Sequence, residues 1–165
     1  MTARTFAPWV EPIAALLREQ RARVITFARS LPADAWDRPS PLAGWTCKDL
    51  LAHIGKGNDQ LFQQLLRTIV AGEPIDTHMF AVDTDGDNTR KVEERRAWTA
   101  ADVIAEVEEA GEEIQDLLSQ LTDEHEQYKQ DDPPFQLDGY FRLIREESHD
   151  LEHLAQLRNA LEVTA

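Results

Sequence analysis

His149 and His153 stand four residues apart in a segment rich in leucine and acid, Glu147-Ser-His-Asp-Leu-Glu-His-Leu-Ala-Gln-Leu157. On a helix that spacing projects both imidazoles from one face, about one turn apart. Two neutral imidazoles so placed chelate a single Zn²⁺-like ion, with ring nitrogens roughly 2.0–2.1 Å from the metal. A tight site needs a third ligand. His53 is the best candidate, because it lies within the most strongly periodic helical segment rather than in a loop. Three neutral ligands leave an ion its full charge and an open position. A thiol bound there shifts towards thiolate and a water towards hydroxide. Asp49, Glu146, Asp150 and Glu152 are close enough in sequence to orient the imidazoles, and the spacing does not choose among them. A His-x-x-x-His pair alone is a weak motif, since chance supplies many.

Other residues carry less. Cys47 follows a helix start, where the dipole favours thiolate, but no histidine partner is fixed by spacing and a small packed cysteine is the expectation. Trp9, Trp36, Trp45 and Trp98 fall around helix starts and connections and are expected to plug the ends of a bundle; Trp45 is also placed to wall a site beside His53. Asp102, Glu106, Glu109 and Glu113 are expected to form a solvated face. Glu112 and Glu113 find no second helix with a Glu-x-x-His motif, which argues against a di-iron carboxylate centre. The run Asp83-Thr84-Asp85-Gly86-Asp87 resembles a calcium loop, and counting from Asp83 brings Glu94 to the twelfth position. Gly86, however, falls at position four rather than six, so a solvated loop is expected. His78 and His125 are expected at the surface.

Four amphipathic helices must position these groups. Ile13, Leu16, Leu17, Val24 and Phe27 recur at helical spacing from Pro12 to Ser30, with either Pro8 or Pro12 suited to the first turn and Leu31-Pro32 closing the segment. A loop with prolines at 32, 39 and 41 follows. Thr46 then stands three residues before Asp49 as a capping box. Helix two runs from there through Leu50, Leu51, Ile54, Leu61, Phe62, Leu65, Leu66 and Ile69 to Gly72-Glu73-Pro74. The stretch from Pro74 to Asn88 has no periodicity, and a short helix from Val92 to Trp98 precedes a second capping box, Thr99 with Asp102. Helix three carries Val103, Ile104, Val107, Ile114, Leu117, Leu118 and Leu121. After the polar stretch 123–132, Pro133-Pro134 breaks the chain, and helix four covers about Leu137 to Leu161. No segment alternates with period two. The expected fold is therefore all-α: one four-helix bundle domain spanning residues 1–165, with longer connections between helices one and two and helices two and three.

At about 100° per residue, the apolar stripe of helix four centres near Tyr140 and Leu151, and His149 and His153 lie well off it. His53 is similarly displaced from the Leu50/Ile54/Leu65 stripe, on a side shared with Gly57 and Gln64. Ordinary core histidines are not expected. Two readings stay open: exposed surface histidines, or histidines lining a groove where helices two and four diverge.

Bulk properties narrow the class. A chain of 165 residues fits one domain, and 42% hydrophobic with 29% charged residues is ordinary for a globular protein. The formal charge of −14, from 17 basic and 31 acidic residues, argues against nucleic acid and against anionic membranes, both of which require a basic face. Met1 to Val10 has no apolar signal core, and no apolar run is long enough to span a bilayer. The single cysteine, Cys47, has no internal disulfide partner, and a cytoplasmic setting is the expectation.

The segment Pro41-Leu-Ala-Gly-Trp-Thr-Cys-Lys-Asp-Leu-Leu-Ala-His-Ile54 resembles the entry to helix two in the DinB-like superfamily, whose members carry Gly-Trp-Thr and then Asp-Leu-Leu-Ala-His. The segment from Glu147 to Leu157 resembles that family's helix-four signature, which also pairs two histidines four apart. Asn88 falls where mycothiol-dependent maleylpyruvate isomerase-like members carry an asparagine. The resemblance spans most of the chain and implies a four-helix bundle with His53, His149 and His153 around a divalent metal, Zn²⁺ first and Ni²⁺, Fe²⁺ or Mn²⁺ as alternatives. It also implies a homodimer and a metal-dependent S-transferase or isomerase acting on a small electrophilic compound with a low-molecular-weight thiol. Two other readings are a metal-dependent hydrolase or self-protection protein of the colibactin-resistance (DfsB-like) type and a noncatalytic metal-binding dimeric bundle.

Overall fold

The computed structural model describes residues 4–76, 84–129, 137–146 and 148–162. His78, Asp83 and the Pro133-Pro134 break lie outside them. Helix α1, Glu11–Ser30, takes Pro12 into its first turn, where a missing N–H costs nothing. Helix α2, Cys47–Ala52, starts at the expected box: the Thr46 hydroxyl accepts from the Asp49 N–H, and the Asp49 carboxylate accepts from the Thr46 N–H at 2.9 Å. The chain then runs through a turn of π-helix, His53–Gly57, directly into α3, Asn58–Val70. Helix α4 is Thr84–Glu94, and α5, Ala100–Leu118, opens with the Thr99–Asp102 box. A 3₁₀ segment, Asp123–Lys129, leads towards α6, Leu137–Glu146, and α7, His149–Glu162.

Four arms make the bundle: α1, the continuous α2–α3 arm, α5, and α6 with α7. Helix α5 packs on α1 and along α2–α3, while α1 packs on α6 and α7, and α2 meets α7. One stretch of core gathers Ile13, Leu65, Leu66, Leu118, Leu137 and Phe141; another gathers Val24, Leu50, Leu51, Val107, Leu154 and Leu157. Among the described residues there is no strand, only an isolated bridge between Pro39 and Thr46.

Four expectations need correction. Helix two is interrupted: the π-turn inserts an extra residue into the hydrogen-bond register and rotates the residues beyond it about the helix axis. Helix four is two helices, α6 and α7, because Ser148, just before α7, is not helical. The aperiodic stretch ending at Asn88 is helical from Thr84, so Asp85, Gly86 and Asp87 lie on α4 and not in a calcium-binding loop. Asp87 instead pairs with Arg90 at 2.6 Å and with Lys91 at 2.5 Å, three and four residues on. The residues from Arg95 to Trp98 form turns between α4 and α5 rather than the end of a helix.

Candidate metal centre

The π-turn, α7 and the loop before α2 bring the three histidines together. His53 opens the π-turn; His149 and His153 occupy the first and second turns of α7. The His149 and His53 Nε2 atoms are 3.0 Å apart, and those of His153 and His149 are 2.9 Å apart. All three offer a ring nitrogen within 4.8 Å of the other two. The surface reading of these histidines is thus overturned: His53 and His153 are each only 7% exposed, and His149 is half-buried. The π-turn shifts the α3 part of the apolar stripe relative to His53, and the α6–α7 break shifts the Tyr140 part relative to His149 and His153. Gly44, at a φ of 82°, makes the left-handed turn that any side chain would resist. The next residue, Trp45, lays its ring 5.3 Å from the His53 ring and walls the site, as its position suggested.

Burial pushes the His53 imidazole down to about 4, helped by the neighbouring His153 and by Lys91 of α4. His149 is pushed down to about 2, first by burial and then by His153, His53 and Arg21. Both rings are therefore held neutral at pH 7, the form that ligates metals. Protons serve this arrangement poorly. A neutral imidazole nitrogen either donates one hydrogen or offers one lone pair, yet the His149 Nε2 faces two other nitrogens at hydrogen-bond distance. A cation at the point of convergence would accept a lone pair from each. The far side of His153 agrees, because its Nδ1–H donates to Gln156 Oε1 at 2.8 Å, which leaves the Nε2 lone pair facing the cluster. Among the described residues, the buried Nδ1 atoms of His53 and His149 have no hydrogen-bond partner. The donor set fits a divalent ion of the Zn²⁺, Ni²⁺, Fe²⁺ or Mn²⁺ type, all of which imidazole accepts.

None of the four acids near the histidines in sequence makes a hydrogen bond to an imidazole. Asp49 is committed to its cap, Glu146 and Glu152 are exposed, and Asp150 turns to Arg21. Gln156 takes the orienting role for His153, three residues on, a spacing that was readable. Glu106 is not part of a solvated face: it is 5% exposed and accepts from Arg95 Nη2 at 2.9 Å. Cys47 is fully buried and its thiol is pushed up by that burial, so the packed reading holds. Trp36 is buried in the core, whereas Trp98 lies at the surface with the Arg95 guanidinium 5.4 Å from its ring centroid. His125 is half-buried, and its Nδ1 accepts from the Thr122 N–H at 2.9 Å, away from the cluster.

A helical bundle presenting converged histidines defines a class of candidate metalloproteins. Within it, residues 17–152 match the model of the family described as the mycothiol maleylpyruvate isomerase N-terminal domain, and the chain belongs to that family, a DinB-like one. The matched stretch includes His53 and His149 and stops one residue before His153. Neither the curated proteins nor the solved structures compared with the chain gave a match. Among the described residues, no helix is long and apolar enough to cross a membrane.

Proposed function

We propose that His53, His149 and His153 hold a divalent metal, Zn²⁺ in the first instance, and that the protein is a metal-dependent thiol S-transferase or isomerase for a small electrophile. The observation that carries the reading is that His149 Nε2 lies 3.0 Å from His53 Nε2 and 2.9 Å from His153 Nε2, beneath the surface. The family description supplies the thiol: mycothiol is the first to test. A metal bound there supplies Lewis acidity, which favours the ionised form of a thiol beside it.

The chain's own residues have three tasks. The His53 and His149 imidazoles stay neutral through burial, so that their lone pairs are available at physiological pH. Gln156 fixes the tautomer of His153. Trp45 closes one side with an apolar ring, which limits water and lowers the local dielectric. The homodimer and the cytoplasmic setting belong to the same proposal. A light-scattering mass of one chain at micromolar concentration would remove the dimer from it.

The test has two stages. Elemental analysis of protein purified without a nickel column is expected to give about one divalent ion per chain. Metal-loaded protein is then mixed with a maleyl-type electrophile, with and without mycothiol. Thiol-dependent turnover supports the proposal. Turnover in water alone points to the hydrolase reading, and retained metal with neither reaction points to a noncatalytic metal-binding bundle.

A further inference from the structure

His149 is the first residue of α7. A helical first turn has no preceding turn to hold it and frays readily, so a ligand at that position needs an anchor from outside the helix. Locally there is a serine: the Leu151 N–H lies 3.3 Å from Ser148 Oγ, and Ser148 O accepts from Leu151 and Glu152. The rest comes from α1. Gln20 Nε2 donates to Ile144 O of α6 at 3.0 Å, just before the α6–α7 break. Arg21, the next residue, reaches past the break and grips Asp150, with Nε to Oδ2 at 2.7 Å and Nη2 to Oδ1 at 3.3 Å. Its remaining Nη1 donates to Val107 O of α5 at 2.9 Å. Gly111 of α5 opens the slot for this reach, since a Cβ there would stand 3.2 Å from Arg21 Cγ.

We propose that Gln20 and Arg21 form a two-point clamp across the α6–α7 break, and that the Arg21–Asp150 pair is the positioning device that fixes His149 and His153 opposite His53. Burial makes this more than a generic ion pair. Arg21 and Asp150 are each 6% exposed, and a buried pair is a poor way to gain stability: apolar residues of similar volume often do as well or better. What the pair gives that hydrocarbon does not is direction, because the guanidinium fork fixes the carboxylate in both distance and angle. The carboxylate belongs to the residue next to His149. The inference rests on the metal-site reading for its consequence, but the geometry it asserts exists with or without metal.

The experiment separates position from stability. The double variant R21M/D150L replaces both charges with apolar side chains, so it is expected to fold and to melt within a few degrees of the parent. Co²⁺ serves as the probe metal, with affinity taken from chelator competition and coordination from its visible absorption. The variant is expected to bind Co²⁺ at least 10-fold more weakly, with an altered absorption band, the size typical of lost orienting partners. R21K, which keeps the charge but loses the fork, is expected to fall between. Ring C–H resonances of the three histidines in metal-free protein give an independent readout and are expected to shift in both variants. Parent-like histidine resonances in the double variant would overturn the clamp, as would Co²⁺ affinity within twofold of the parent in a protein that binds Co²⁺. Should the parent bind no Co²⁺, the metal reading fails by itself and the resonances still decide the clamp.

Discussion

The two stretches of core are built by the same four arms but on different principles. Around Phe141 and Leu118 the interior is aliphatic and aromatic: Phe62 stacks on Tyr140 with centroids 5.0 Å apart, and Leu65, Leu66, Ile69 and Leu137 are fully buried. Its polar members are neutral amides that tie backbone together, such as Gln115 donating to Ala14 O at 3.0 Å. Around Val107 and Leu154 the arms enclose ionisable groups instead: the histidine cluster, the Arg21–Asp150 pair and the Arg95–Glu106 pair. Charges removed from water cost free energy that pairing only partly offsets. Hydrocarbon often stabilises such a position at least as well. The difference indicates that one region is shaped for cohesion and the other for placing particular atoms.

The comparison breaks most visibly in metal affinity. Replacing His149 by alanine is expected to weaken binding by at least about 100-fold, beyond the 10- to 100-fold typical of orienting partners. The same substitution should change stability by less than roughly 1 kcal/mol, since it removes a polar ring with an unpartnered Nδ1. Phe141→Ala is the mirror image. A large side chain 1% exposed leaves a cavity costing about 3–5 kcal/mol in urea unfolding, with metal affinity per folded molecule unchanged. If Phe141→Ala weakens metal binding as much as His149→Ala does, the two regions are not functionally separate.

Acidification sharpens the contrast. In the metal-free protein His53 titrates near 4 but has an unfolded value of 6.5. Below about pH 6.5 the unfolded chain takes up a proton that the folded one refuses, so stability falls with pH and levels off only below about 4. His149 acts in the same direction. His53 alone is expected to remove on the order of 2 kcal/mol by pH 5. Urea melts at pH 7 and pH 5 should show that loss in the parent and a smaller one in His53→Gln. Equal losses in the two proteins would mean that the ring is not held neutral by burial.

The smallest expected effect concerns the two capping boxes, which share one chemistry. Thr46→Ala and Thr99→Ala should each cost about 1 kcal/mol. Thr46 introduces the helix that delivers His53, so its variant alone should also loosen metal binding, by a few-fold in a Co²⁺ titration.

Much of this was legible in the sequence because it is local. Both capping boxes, the apolar periodicity of α1 and α5, and the pairing of His149 with His153 depend on residues within a turn or two of one another. The Gly-Trp-Thr segment before His53 and the histidine pair in the last arm were enough to name the family. The partners of those histidines were legible only in part. Gln156 lies at a helical spacing from His153, and Arg21 stands on the buried stripe with Ala14, Val24 and Ala28, yet nothing local says what either one meets.

What the sequence determined by itself was the all-α class, the helices α1 and α5, the two capping boxes and the choice of the three imidazoles, since hydrogen bonds along a helix and hydrophobic periodicity are properties of neighbouring residues. Tertiary structure decided that those imidazoles face one another from beneath the surface. A regular wheel put all three off the apolar stripes. The π-turn at His53–Gly57 and the break before His149 shift the rest of those stripes relative to the imidazoles. Both departures from regularity are stabilised by packing against other arms: Gly55 of the π-turn leaves room for Val107, whose Cγ2 would lie 3.2 Å from any Cβ there, and α1 grips both sides of the break. Contacts between residues about fifty and more than a hundred positions apart carry that information, and periodicity along one segment does not contain it.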